Sequence, residues 1–145
     1  MAIVSAVCNT FKEEVLKAVH NFTNGGDAFN LALYTSSASL GAATTAYDST
    51  NEITNASGSA YSAKGQALTS VTPALSTDTA CCDFANVSFT SASFTANGCL
   101  IFNDTASGDP AVCAIAFGGD KTVTNGTFTI EFPAADASNA ILRIA

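Results

Sequence analysis

The sequence predicts a mainly β chain, an antiparallel β-sandwich or jelly-roll-like barrel with one N-terminal α-helix. Three observations carry that expectation. In the second half Phe128, Ile130 and Phe132 alternate with Thr127, Thr129 and Glu131, the period of a strand with one buried and one wet face. Glycine-bearing turn dipeptides interrupt such runs at short intervals, the spacing of a sandwich or barrel. Only one segment, Thr10 to Phe22, has a convincing helical period.

Within that segment Thr10 and Glu13 make a capping-box pattern, in which hydroxyl and carboxylate each satisfy a backbone N–H at the helix start. Phe11, Val15, Leu16, Val19 and Phe22 fall on one stripe that has to be buried. Lys17 and His20 sit near the negative end of the dipole, and Asn24-Gly25-Gly26 closes the element. Phe29–Thr35 reads as a strand. From Ser36 to Thr79 the pattern weakens into Ala, Ser, Thr, Gly and Asn, with short strands expected near Tyr47–Ile53 and Gln66–Val71. A stretch of that length is not structureless inside a compact domain, so it is expected to hold extended arms, irregular strands or contact loops.

Further strands are expected at Phe84–Phe89, Ser93–Ala96, Cys99–Phe102, Val112–Phe117, Thr127–Phe132 and Ala140–Ile144. Asn97-Gly98 and Asn125-Gly126 are the preferred dipeptides of type I′ hairpins, where both central residues need positive φ. Gly108-Asp109-Pro110 and Gly118-Gly119-Asp120 supply the other turns. No internal repeat is evident. The 145 residues form one domain, with 1–26 as N-terminal segment and helix and 27–145 as sandwich, the latter carrying the irregular 36–79 region.

Composition narrows the function classes. Only 12% of residues are charged, about half the usual share, so hydroxyls and amides have to wet the surface. Twelve carboxylates against five Lys and Arg give a net charge of −7. The cations Lys12, Lys17, Lys64, Lys121 and Arg143 are scattered, which argues against nucleic acid and against an anionic membrane surface. No apolar run approaches the length of a membrane span. The opening Met-Ala-Ile-Val-Ser-Ala-Val-Cys lacks the basic and apolar regions of an export signal, so Met1 reads as the start of a protein folded in a cytoplasm. Asn-x-Ser/Thr triplets at Asn21, Asn55, Asn86, Asn103 and Asn125 then carry no meaning. Five cysteines, Cys8, Cys81, Cys82, Cys99 and Cys113, cannot all pair within one chain, and read as small apolar packers.

Residues able to do chemistry are few, and each has an ordinary reading that outweighs the functional one. His20, the one histidine, reads as a helix C-terminal residue favoured by the dipole rather than as a general base. Asp104 with Asp109, and Asp48 with Glu52, flank loops in a way that suits calcium, but neither pair has EF-hand spacing, and both read as solvated turn carboxylates. Gly118-Gly119-Asp120-Lys121 lacks the strand–loop–helix context of a phosphate loop. Tyr34, Tyr47 and Tyr61 are the candidate sugar platforms, and interface or core is the better reading for them. No catalytic, cofactor or metal residue is assigned.

Several stretches read together: Phe11-Lys-Glu-Glu-Val-Leu, Phe29-Asn-Leu-Ala-Leu-Tyr-Thr-Ser-Ser-Ala with Thr44-Thr-Ala-Tyr and Asn51-Glu, Tyr61-Ser-Ala-Lys-Gly-Gln-Ala-Leu, and the closing Phe132-Pro-Ala-Ala-Asp-Ala-Ser-Asn-Ala-Ile. In this order they resemble a family of small tailed-bacteriophage virion structural proteins. That resemblance implies a non-enzymatic particle component made in a bacterial cytoplasm, and supplies no functional residues. The leading expectation is a capsid decoration, or cement, protein that stabilises contacts between major capsid subunits as a homo-oligomer. Its contacting arms are expected in the N-terminal segment and in 36–79. A tail, neck or baseplate component, or a receptor- or carbohydrate-binding module, is the alternative. No cofactor is expected.

Overall fold

A computed structural model describes residues 2–145; Met1, expected to open the chain, lies outside the described residues. The elements are β1 (Ala6–Val7), α1 (Asn9–Leu16), β2 (Phe29–Tyr34), β3 (Gln66–Ala67), β4 (Ser70–Ser76), β5 (Thr79–Phe84), β6 (Val87–Asn103), β7 (Ala111–Ile130) and β8 (Leu142–Ile144). They build a mainly β, two-sheet sandwich with one N-terminal helix, the fold class expected. The larger sheet has the order β1-β7-β6-β2-β3, the smaller β4-β5-β8, and every pairing between these strands is antiparallel.

β6 is the middle strand of the larger sheet, and beside it β2 is buried along nearly its whole length because β6 and β3 flank it and side chains cover both faces. Aromatic contacts join the sheets: Phe29 of β2 lies 5.9 Å from Phe84 of β5, and Phe84 lies 5.6 Å from Phe132. Phe22 stacks on Phe29 at 4.3 Å, which closes the core beneath the N-terminal segment.

Most of the second half is one long hairpin. β6 spans 17 residues and β7 spans 20. The strands expected at Ser93–Ala96 and Cys99–Phe102 are merged into β6, and those at Val112–Phe117 and Thr127–Phe132 into β7, which stops at Ile130. Asn97-Gly98 and Asn125-Gly126 are therefore not hairpin turns. Gly98 pairs with Tyr34 on one side and Ala116 on the other, so a turn there would sever two ladders. Glycine is needed at that position for another reason: a Cβ would lie 2.6 Å from the Ile115 carbonyl oxygen and 2.8 Å from Ile3. Asn125-Gly126 instead marks a bulge, with Asn125 at φ 45° and a register shift between the Ala92–Gly126 and Phe94–Val123 pairs. Gly118-Gly119-Asp120 is also a bulge. Ala96 pairs with Lys121 and Gly98 with Ala116, which leaves Phe117–Asp120 opposite Asn97 alone. The true reversal lies at Asp104–Pro110, where the Gly108-Asp109-Pro110 turn was expected.

The helix is shorter than its pattern and begins differently. It ends at Leu16 instead of Phe22, because Ala18 turns to φ 57° and the chain leaves the helical path. Leu16 is thereby 88% exposed, while Phe11 is buried and Phe22 reaches the core from the loop. Cys8 is the N-cap and makes no side-chain capping bond, so the Thr10–Glu13 capping box is not formed. Thr10 Oγ1 is buried without a partner, and Glu13 pairs with Lys17 one turn on.

Neither region expected as an arm hangs free. Ile3 bridges Leu40, Ala6 and Val7 pair with Ala114 and Cys113, and Cys8 is fully buried. In the 36–79 region Ala38, Ile53, Ser59, Tyr61 and Leu68 are buried, and the expected Tyr47–Ile53 strand is reduced to a bridge between Glu52 and Tyr34.

Candidate functional site

His20 lies beyond the helix, with its side chain wholly buried rather than at an exposed helix end. Its ring is 5.0 Å from Phe11 and 6.2 Å from Phe29. Asn103 fixes its tautomer. Asn103 Oδ1 accepts the Thr105 and Ala106 N–H groups at 2.9 and 3.0 Å, so Nδ2 must face the other way. There it donates to Asp27 Oδ2 at 2.8 Å and to His20 Nδ1 at 3.1 Å. His20 Nε2 accordingly carries the proton and donates to Glu14 Oε2 at 2.9 Å. Both ring nitrogens thus bind structural partners, and the chain Glu14–His20–Asn103–Asp27 ties the N-terminal segment to the hairpin reversal.

Two of the four carboxylates weighed as calcium ligands are brought together, and a cation already stands between them. Lys64 Nζ lies 2.7 Å from Asp104 Oδ1 and 2.8 Å from Asp109 Oδ2. Hydrogen bonds to Asp104 and then Asp109 hold the Lys64 ammonium above the usual lysine range. The Tyr47 and Phe102 rings flank it at 5.7 and 5.9 Å. Asp48 and Glu52 do not converge. Asp48 is exposed, and hydrogen bonding from the Thr50 hydroxyl and then the Thr50 N–H lowers its pKa, whereas Glu52 is buried. Among the described residues no group of three or more His, Cys, Asp or Glu is placed to hold a metal ion.

Glu52 is the hub of the irregular region. Its Oε1 accepts the Tyr61 hydroxyl and the Lys64 N–H, both at 2.7 Å, and its Oε2 accepts the Tyr47 hydroxyl at 2.5 Å. Tyr61 in turn accepts the Leu33 N–H at 2.8 Å, and Tyr34 donates to the Asp48 carbonyl at 2.8 Å. Tyr34 and Tyr61 are almost completely buried, and Tyr47 is half-buried against Phe102, so none of the three offers a stacking platform. Burial, reinforced by Glu52, pushes the Tyr47 phenol up to about 12 and those of Tyr34 and Tyr61 higher still. All five cysteines are free thiols. Burial raises Cys8 to about 11 and Cys82 and Cys113 to about 12, which leaves almost no thiolate at neutral pH.

What remains open is the outer half of the hairpin. On β6, Ser88, Thr90 and Thr95 are exposed between buried Val87, Phe89, Phe94 and Ala96. On β7, Thr122, Thr124, Thr127 and Thr129 are exposed. Hydroxyl pairs bridge the strands, Ser88 to Thr129 at 2.9 Å and Thr95 to Thr122 at 2.8 Å, and Asn97 donates to Asp120 at 2.9 Å. The result is a sheet face of Ser and Thr, with charge only towards its ends. The sequence carries its signal as Ser/Thr-apolar-Thr at Ser88, Ser93, Thr122 and Thr127. Alternation is plain at Thr127–Phe132, but nothing local to the other three triplets places them on one face with it. Comparison with family models, with curated proteins and with solved structures gives no match.

Proposed function

We propose that this protein is a non-enzymatic bacteriophage virion structural protein, a capsid decoration protein that stabilises contacts between major capsid subunits. The observation that carries the reading is the uncharged hydroxyl face of the β6–β7 hairpin. Such a face docks on a protein surface without stripping water from ions, whose desolvation costs several kcal/mol each. Its strands are pre-ordered by cross-strand bonds, so little conformational entropy is lost on binding. Small contacts of this kind become sufficient when symmetry repeats them over a lattice. The order of the quoted sequence stretches supports the same class. Under this reading the protein sits in the virion after assembly in the host cytoplasm, and its partners are the major capsid protein and further copies of itself.

Copy number tests the reading, measured by quantitative mass spectrometry of purified particles against the major capsid protein. A lattice-related ratio is expected. A few copies, matching a ring, would move the protein to the neck, tail or baseplate. Absence from particles would overturn the structural reading and leave the receptor- or carbohydrate-binding module.

A further inference from the structure

The larger sheet stops abruptly at β7. β1 pairs with it only at Cys113 and Ala114, and among the described residues no backbone hydrogen bond reaches the outer edge of Phe117–Ile130. Residues 118–131 include no buried position, although β6 opposite buries Phe89, Ala92, Phe94 and Ala96. On the inner face of β7, Val123, Phe128 and Ile130 are only half-covered. Beside them runs an apolar groove of about 390 Å³ lined by Phe117, Lys121, Phe128, Thr129 and Ile130. It continues into a depression of about 380 Å³ that reaches Phe132 and Ile141. An uncovered edge of this length is a template for another strand.

We infer that the occupant is the same edge of a second copy, paired antiparallel about a two-fold axis between Asn125 and Gly126. The segment Thr122-Val-Thr-Asn-Gly-Thr-Phe-Thr129 is palindromic in pattern. The register that places Asn125 opposite Gly126 of the other copy sets Thr122 opposite Thr129, Thr124 opposite Thr127, and Val123 opposite Phe128. The bulge at Asn125 is what permits this match. It switches the exposed hydroxyls from even to odd positions, and the two-fold axis falls on the switch. On the inner face Val123 then meets Phe128 of the partner, and each hydroxyl meets a hydroxyl. Residues 122–129, the eight that face one another, carry no charge, and Lys121 falls opposite Ile130 at either end of them. Asp120 and Glu131 fall opposite each other just outside it at both ends, which limits the ladder and makes association stronger as salt rises. The dimer would present the hydroxyl faces of both hairpins as one continuous sheet surface. It deepens the proposed symmetric role, but rests on the edge geometry and is tested on the isolated chain without particles.

The full chain is measured by sedimentation velocity over a concentration series, since eight residues a side is fewer than the roughly 20–30 of a standard interface. A concentration-dependent dimer, strengthened by salt, is expected. Thr124→Pro removes a backbone donor at the edge and is expected to give a monomer with an unchanged far-ultraviolet spectrum. Register is tested without relying on that variant. Thr122→Cys with Thr129→Cys is expected to form a disulfide-linked dimer under mild oxidation, while either substitution alone is not. A chain that stays monomeric at every concentration and salt overturns the inference. So does a folded Thr124→Pro dimer, or a double-cysteine variant that dimerises without cross-linking.

Discussion

The Tyr61 hydroxyl offers a quantitative test of what holds the irregular 36–79 region in place. Tyr61→Phe removes one oxygen and leaves the ring stacked on Phe89 at 5.7 Å. Two bonds are lost, one donated to Glu52 at 2.7 Å and one accepted from the Leu33 N–H at 2.8 Å. Tyr61 is fully buried, so water does not take the vacated place. An orphaned N–H costs about 1–3 kcal/mol, and a lost hydrogen bond to a charged group about 1.5–3 kcal/mol. Allowing for Glu52 Oε1 keeping the Lys64 N–H, the sum is about 3 kcal/mol. Unfolding entropy of roughly 2.1 cal/mol/K per residue gives about 0.3 kcal/mol/K for a chain of 145 residues. The expected fall in Tm is therefore about 10 °C, read by calorimetry. Tyr47→Phe is the internal control. It also removes a hydroxyl from Glu52, but Tyr47 is half-buried and water can replace it, so about 1 kcal/mol and about 3 °C are expected. If Tyr61→Phe lowers Tm no more than Tyr47→Phe does, the buried hub is not what pins this region.

Alkaline titration should show the same network from another side. All three tyrosines have folded-state pKa values raised above their ordinary 10, so the native state holds protons that the unfolded chain releases. Stability is then fully present below pH 10 and falls as pH rises above it, and tyrosinate absorbance should appear together with loss of structure rather than before it. Asp83 has the opposite interest. It is an acid whose pKa burial raises, one of whose carboxylate oxygens has no partner. Its charge opposes folding at neutral pH, and that penalty is relieved as pH falls through the raised value. Asp83→Asn should melt at a higher temperature than wild type at pH 7, with the gap closing on acidification; a gap independent of pH would locate the effect elsewhere. Gly65 sits at φ 65°, and a Cβ there would lie 1.8 Å from the Leu31 carbonyl oxygen, whereas Gly25, at φ 84°, has open space around it. Gly65→Ala is expected to cost more than about 2 kcal/mol and Gly25→Ala about 1 kcal/mol in denaturant unfolding; equal costs would remove the steric argument.

Local reading succeeded where one short-range signal acted alone. The strand expected at Phe29–Thr35 forms over Phe29–Tyr34, and the Gly108-Asp109-Pro110 reversal is where its residues put it. It failed where two local signals competed with a longer-range one. Asn97-Gly98 has the chemistry of a turn, yet β2 and β7 both claim Gly98, and two ladders outweigh one preferred dipeptide. The helical stripe to Phe22 was real as a pattern, but Phe22 reaches Phe29 only if the helix stops early. Asp104 and Asp109 were legible as a pair, whereas Lys64, which lies between them, is 40 residues from Asp104 and gave no sign.

The class of the molecule is written in its residues: mainly β and antiparallel, poor in charge and lined with hydroxyls. Period-two alternation and composition are properties of short windows, and they survive whatever the rest of the chain does. Which runs fuse into one hairpin, which histidine nitrogen carries the proton and which strand edge stays open are settled in the folded chain alone. Those depend on partners distant in sequence, since a backbone donor's pairing is settled by the strand beside it and not by the residues before and after.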